Sequence, residues 1–272
     1  SFSEIASEQL VLLTLSDGVG SLHYDWVASK IACDSFVESF TNSAIKDKQT
    51  RFESALKAAD CAVSDPSDSV MKGMMCTFIA VVWDKKKNDF LYCSIGDSRL
   101  YGHSVNSFKQ ISTDEKKAVI MRDKGGKLLN QSGVLIVREG LTNALGYSGA
   151  KTNIFSESFN VGDALVLCSD GMYDAPNFSD GIIEVLQNSD LQKAIEQFFM
   201  KNREMFNDDA SILILQRTLS PDEIMNQIRE GVNENKTCRE LNLPVHLITT
   251  WIMDEFRKWI RQRDSSGLEK MT

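Results

Sequence analysis

No apolar run in these 272 residues approaches the roughly 20 that a membrane-spanning helix needs, and no signal-peptide pattern opens the chain. A membrane partner is therefore not expected. Histidine is scarce: His23, His103 and His246 are the only three, and their separations match no metal-ligand spacing, which sets aside a His-based zinc site. The six cysteines (Cys33, Cys61, Cys76, Cys93, Cys168 and Cys238) never form a C-x-x-C pair and lie mostly among apolar neighbours. They read as small buried hydrophobes in a reducing, cytoplasmic setting rather than as a disulfide framework. Positive charge is also short, with 30 Lys and Arg against 38 Asp and Glu and a net charge of -8, which argues against a broad nucleic-acid-binding face.

What is present is a pair of near copies. Leu10-Val11-Leu12-Leu13-Thr14-Leu15-Ser16 runs into Asp17-Gly18, and Ala164-Leu165-Val166-Leu167-Cys168-Ser169 runs into Asp170-Gly171. Each is a short apolar run of the kind expected of a buried strand, stopped by a carboxylate and a glycine. A third run, Ala210 to Leu215, follows Asp208-Asp209. One Asp-Gly pair alone is a turn former. Three buried strands with acids at their ends instead suggest carboxylates converging at one rim of a sheet. Such a cluster repels itself unless a hard divalent cation sits in it.

Around these strands the chain alternates unevenly. Apolar residues at helical spacing predict helices over about 26–40 and 49–63, and strands are expected at 76–83, 90–95 and 99–103, the first two joined by a charged hairpin turn at 84–88. Residues 113–141 are polar and Gly-bearing and read as an irregular excursion. Strand signals return at 155–159 and 164–168, helical ones at 179–186 and 190–203, and a last strand from about 208 to 217. Clustered strands with paired helices favour an α+β domain over a doubly wound one. From Leu219 the pattern is helical: Ser220-Pro221-Asp222-Glu223 is a capping box with Pro at the first helical position. The expected division is 1–218 for the core and 219–272 for an all-helical C-terminal extension.

Ser16-Asp17-Gly18-Val19-Gly20-Ser21, Ser94-Ile95-Gly96-Asp97-Ser98-Arg99, Leu141-Thr142-Asn143-Ala144-Leu145-Gly146, Ser169-Asp170-Gly171-Met172-Tyr173-Asp174 and Asp208-Asp209-Ala210-Ser211 follow one another in this order. In identity and order they resemble the metal-dependent serine/threonine protein phosphatases of the protein phosphatase 2C type, in a bacterial-like variant, from about Leu10 to Arg217. The resemblance implies a four-layer αββα sandwich with two central antiparallel sheets, and two Mn²⁺ or Mg²⁺ ions with a third, weaker position. It implies that Asp17 bridges two ions with the Gly18 carbonyl on one of them, that Asp170 and Asp208 hold the other, and that Asp97 and Asp174 serve the third. Asp209 stands where such proteins often have Asn and is kept as an outer acid. The implied reaction is hydrolysis of phosphoserine or phosphothreonine in a phosphorylated protein substrate by an activated water. No reactive-cysteine phosphatase signature competes with that reading.

The pattern also departs from the resemblance. An acidic pair and a phosphate-gripping Arg belong upstream of the first Asp-Gly, but among the sixteen residues before Asp17 only Glu4 and Glu8 are acidic, in what reads as a polar lead-in. The chain opens on Ser rather than Met, so the segment carrying that pair is one the sequence as given can have lost. Met74-Met75-Cys76-Thr77 replaces a Gly-Thr-Thr, and Glu115 replaces a His. Two readings stay open: an active phosphatase acting with a cognate kinase, or a catalytically impaired phosphatase-like binding module whose helical tail docks a partner protein. Thr237 to Ile252 has a faint helix-turn-helix pattern, but from Leu219 onward nine acids face eight bases, so the tail carries no net positive field for DNA.

Overall fold

The computed structural model describes residues 1–6, 9–20, 24–104, 107–121, 127–128, 130–131, 134–160, 162–188 and 190–217. The chain divides into two units. The first comprises residues 1–159 and 164–215, and the second residues 160–163 and 216–272. In the second unit Gly162 N–H donates to Arg217 O and Arg217 N–H to Asp163 O, each at 2.9 Å. The helical extension expected over 219–272 lies outside the described residues, as do Glu8, His23 and His246.

The first unit is a mixed α/β fold with antiparallel sheets and, among the described residues, five helices. In chain order its elements are β1 (Phe2–Ala6), β2 (Leu10–Leu15), α1 (Asp25–Asn42), α2 (Lys48–Ser64), β3 (Phe78–Asp84), β4 (Asp89–Ile95), β5 (Arg99–Ser104), β6 (Ser107–Gln110), β7 (Lys116–Ile120), β8 (Asn130–Gln131), β9 (Val134–Leu135), β10 (Val137–Leu141), β11 (Phe155–Ser158), β12 (Ala164–Cys168), α3 (Asp170–Tyr173), α4 (Phe178–Leu186), α5 (Leu191–Asn202) and β13 (Ile212–Gln216). One sheet runs β1-β2-β3-β4-β11 and another β13-β12-β5-β6.

The near-continuous apolar runs have a simple cause: both faces of their strands are covered. In β3, Phe78, Ala80 and Val82 face a core shared with Ala32, Phe36, Phe52 and Leu56 of α1 and α2. Ile79 and Val81 point the other way, into a core shared with Leu100, Leu165, Leu167 and Leu213 of the second sheet. Strand β12 repeats the alternation, with Val166 and Cys168 turned toward Ile182, Val185 and Phe198 of α4 and α5. The two expected long helices form within two residues of their predicted ends, and Asp47 caps α2 by accepting from Thr50 N–H at 2.8 Å.

Two expectations are corrected. The polar lead-in is largely a strand: β1 pairs antiparallel with β2, Phe2 opposite Leu15 and Glu4 opposite Leu13. It is an edge strand with mainly exposed side chains, so main-chain pairing places it and no hydrophobic alternation marks it. The stretch 113–141 is not wholly irregular either. Its ends form a two-stranded ribbon, β7 against β10, with Lys116 opposite Leu141 and Ile120 opposite Val137.

Candidate metal centre

The first Asp-Gly pair is fixed where β2 ends by the segment leading into β3. Ser16 Oγ donates to Thr77 O at 2.6 Å and Thr77 N–H to Asp17 O at 2.7 Å. Asp17 N–H donates to Thr77 Oγ1 at 3.0 Å, and that hydroxyl meets Ser98 Oγ at 2.7 Å. Thr77 thus ties Asp17 to the Gly96-Asp97-Ser98 turn between β4 and β5. Gly18 is needed for close approach rather than for a special dihedral, since a Cβ there would lie 2.3 Å from the carbonyl oxygen of Asp25 at the start of α1.

The second pair is built on the same plan. Ser169 N–H donates to Ser211 O at 3.1 Å, Ser169 Oγ donates to Asp209 O at 3.1 Å, and Ser211 N–H donates back to Ser169 Oγ at 3.0 Å. These bonds lay the Asp208-Asp209 segment beside Asp170, and a Cβ on Gly171 would stand 2.6 Å from Asp209 O. Helix α3 then carries Tyr173, whose hydroxyl donates to Asp97 O at 3.0 Å. The Arg99 guanidinium stacks 3.6 Å from the Tyr173 ring centre and reaches Asp114 at 2.7 Å.

These segments enclose a cavity of about 440 Å³ with six aspartates in its wall: Asp17, Asp25, Asp97, Asp170, Asp208 and Asp209. Among the described residues no Lys, Arg or His side chain is part of that wall. Burial pushes the Asp17 carboxyl up to about 7, helped by the charge of Asp170, a hydrogen bond to it, and the charge of Asp208, and opposed by the Ser1 ammonium. Burial, followed by the charge of Asp170, raises Asp97 as well. Of the residues expected from sequence, Asp17, Gly18, Asp97, Asp170 and Asp208 all line the cavity. Asp174 does not: it caps the C-terminal end of α3, exposed to solvent.

Among the described residues no three His, Cys, Asp or Glu side chains are gathered tightly enough to enclose an ion unaided. The donor chemistry nevertheless fits a hard cation that keeps several waters, because the wall offers carboxylate oxygens, and burial together with the neighbouring carboxylate charges already holds the Asp17 carboxyl well above its ordinary range. Sequence reasoning missed Asp25, Trp26 and Thr77. Asp25 and Trp26 begin a helix whose N-terminus only the fold brings beside Gly18. Thr77 was legible only as the end of a departure from the expected Gly-Thr-Thr.

A family model described as protein phosphatase 2C matches residues 2–211. Among curated proteins none matches the chain. Among solved structures, the serine/threonine phosphatase PstP/Ppp of Mycobacterium tuberculosis superposes with a TM-score of 0.59 at 19% identity, covering 80% of this chain and 92% of that one. The S. agalactiae serine/threonine phosphatase gives 0.61 at 15% identity, with 80% and 92% covered. The PstP catalytic domain in complex with two manganese ions gives 0.55 at 21% identity, with 78% and 89% covered.

Proposed function

The chain belongs to the protein phosphatase 2C family, and from that premise we propose that it is an active, metal-dependent phosphatase that hydrolyses phosphoserine and phosphothreonine in protein substrates. The observation that carries the reading is the convergence of Asp17, Asp170 and Asp208, from the ends of three strands, on one cavity. The proposed ligands are Asp17, the Gly18 carbonyl, Asp170 and Asp208 for two Mn²⁺ or Mg²⁺ ions, with Asp97 at a third, weaker position; Asp174, outside the cavity, is left out. The manganese ions of the PstP catalytic domain support the choice of metal. Bound there, the ions supply positive charge that acidifies a water and offsets charge on the phosphoryl oxygens.

The protein's own part is placement. Thr77 ties the first Asp-Gly turn to Ser98, and Ser169 ties the second to Asp209 and Ser211, so each carboxylate sits on an anchored turn and needs little reorganisation to receive charge. Trp26, 68% exposed on the cavity wall, offers an apolar surface to the substrate chain beside the phosphorylated residue. The three cores support a four-layer αββα arrangement, helices outside two facing sheets. We divide the chain at 218/219, with the C-terminal segment as the site for a partner protein. A bacterial signalling role with a cognate kinase belongs to the same proposal, and the likeness to bacterial serine/threonine phosphatases is in line with it. The free cysteines Cys33, Cys61, Cys76, Cys93 and Cys168 support a reducing, cytoplasmic setting.

One observation favours a second reading, the phosphatase-like binding module: among the described residues no basic side chain lines the cavity to grip phosphate. Mn²⁺-dependent hydrolysis of p-nitrophenyl phosphate and of a phosphothreonine peptide separates the two. Turnover that EDTA abolishes and Mn²⁺ restores establishes the phosphatase. Phosphopeptide binding without turnover establishes the module.

A further inference from the structure

We propose that Glu115 is a positioning residue that clamps the Asp97 turn to both roots of the β7–β10 ribbon, so that the placement of the ribbon sets the Asp97 side of the cavity. The inference rests on the phosphatase reading only for what Asp97 does once held there.

Four hydrogen bonds meet at this one residue. Glu115 Oε2 accepts from Gly96 N–H at 3.0 Å and from Asn143 Nδ2 at 2.8 Å. Its own N–H donates to Gly96 O at 2.8 Å, and its carbonyl accepts from Thr142 N–H at 2.7 Å. Gly96 immediately precedes Asp97. Glu115 immediately precedes β7, and Thr142 immediately follows β10, whose last residue Leu141 lines the cavity. The two strands of the ribbon therefore leave and re-enter the core at residues bonded to each other and to the Asp97 turn.

The clamp is stiff on its far side too. Asn143 is buried, and its amide makes a two-way pairing with Lys151: Nδ2 donates to Lys151 O at 2.7 Å and Oδ1 accepts from Lys151 N–H at 3.1 Å. That pairing fixes the direction in which Nδ2 approaches Glu115. A carboxylate suits the position because one oxygen has lone pairs for two N–H donors and its charge strengthens both bonds. A neutral imidazole offers a single acceptor nitrogen and would leave one of the two donors unpaired. The side chain also reaches no cavity-lining role of its own, so its effect on the site passes through Gly96 and Asp97.

The test uses the full chain. Mn²⁺ binding is followed by titration calorimetry, and backbone hydrogen exchange is followed at Gly96 and across β7 and β10, in wild type, Glu115→Ala and Glu115→Gln. The expected result for Glu115→Ala is Mn²⁺ binding weakened about tenfold and faster exchange at Gly96 and in both strands. Glu115→Gln, whose amide oxygen accepts both N–H groups, is expected to stay near wild type. Exchange and binding unchanged in Glu115→Ala, or Glu115→Gln as impaired as Glu115→Ala, overturns the clamp. If Glu115→Ala does not fold, Asn143→Ala removes one donor and must shift the same observables in the same direction. A wild-type protein that binds no Mn²⁺ sinks the phosphatase reading instead, and the exchange rate at Gly96 alone then decides the clamp.

Discussion

The carboxyl groups of Asp17 and Asp170 share a hydrogen bond although they sit at the ends of strands in two different sheets. Two carboxyls that close cannot both ionise cheaply in the absence of a cation. Burial of Asp17 first, and this pairing second, fix the sign of a pH dependence in the metal-free protein. With Asp17 raised from its ordinary 3.8 to about 7, the folded state holds a proton that the unfolded chain releases between those values. Stability of the metal-free protein therefore falls as pH rises from about 4 to about 7 and is not regained above it. Thermal unfolding in EDTA should show this fall, and Asp17→Asn should flatten it. Mn²⁺, which replaces the proton, should raise the midpoint more at pH 8 than at pH 5.

The cavity separates the carried-over residues into two groups with different expected outcomes. Asp17→Ala, Asp170→Ala and Asp208→Ala should each lower Mn²⁺-dependent hydrolysis of p-nitrophenyl phosphate by about 100-fold or more, since loss of residues that merely orient metal ligands already costs 10–100-fold. Asp174→Ala should cost no more than about threefold, because that side chain faces solvent beyond α3. Steady-state rates across a Mn²⁺ series provide the comparison, and a loss in Asp174→Ala equal to the other three would restore it to the ligand set.

How much of this was readable beforehand follows from where the signal lay. The strands β2, β3, β4 and β12 were legible because both faces are buried and apolar residues dominate each run. The strands β1, β7 and β10 were not. FSEIA, KKAVI and VREGL carry no clean alternation, and β1 and β7 are mainly solvent-exposed, placed by ladder hydrogen bonds that sequence does not announce. The site divides along the same line. Asp17, Asp170 and Asp208 stand at strand ends and could be found by pattern. Thr77 and Glu115 act through contacts whose partners lie far away in the chain, 60 residues apart for Asp17 and Thr77 and 28 for Glu115 and Asn143.

The two Asp-Gly glycines give a stability prediction that does not involve metal. Neither residue has a positive φ, so the turn alone does not demand glycine. What demands it is backbone close by: a Cβ would fall 2.3 Å from Asp25 O in one case and 2.6 Å from Asp209 O in the other. Gly18→Ala and Gly171→Ala should each destabilise by about 1–3 kcal/mol through forced backbone displacement, read as a lower denaturant midpoint at unchanged slope. The same displacement moves a proposed ligand, so Mn²⁺ affinity should fall alongside.

Trp26 tests whether the cavity is built for a protein substrate rather than for any phosphate ester. It stands at the first turn of α1, its N–H bonded to the Asp25 carboxylate at 2.7 Å, and so its backbone is anchored while the indole stays open on the cavity wall. An exposed indole at this place has apolar area to bury only if a substrate chain passes over it. Trp26→Ala should therefore lower kcat/KM for a phosphothreonine peptide by about fivefold, the equivalent of about 1 kcal/mol of contact. The loss should fall mainly on KM, because the contact exists equally in the bound ground state and the transition state. Hydrolysis of p-nitrophenyl phosphate, which brings no flanking chain, should lose less. Equal losses on both substrates would place Trp26 in the support of the cavity wall rather than in contact with the substrate chain.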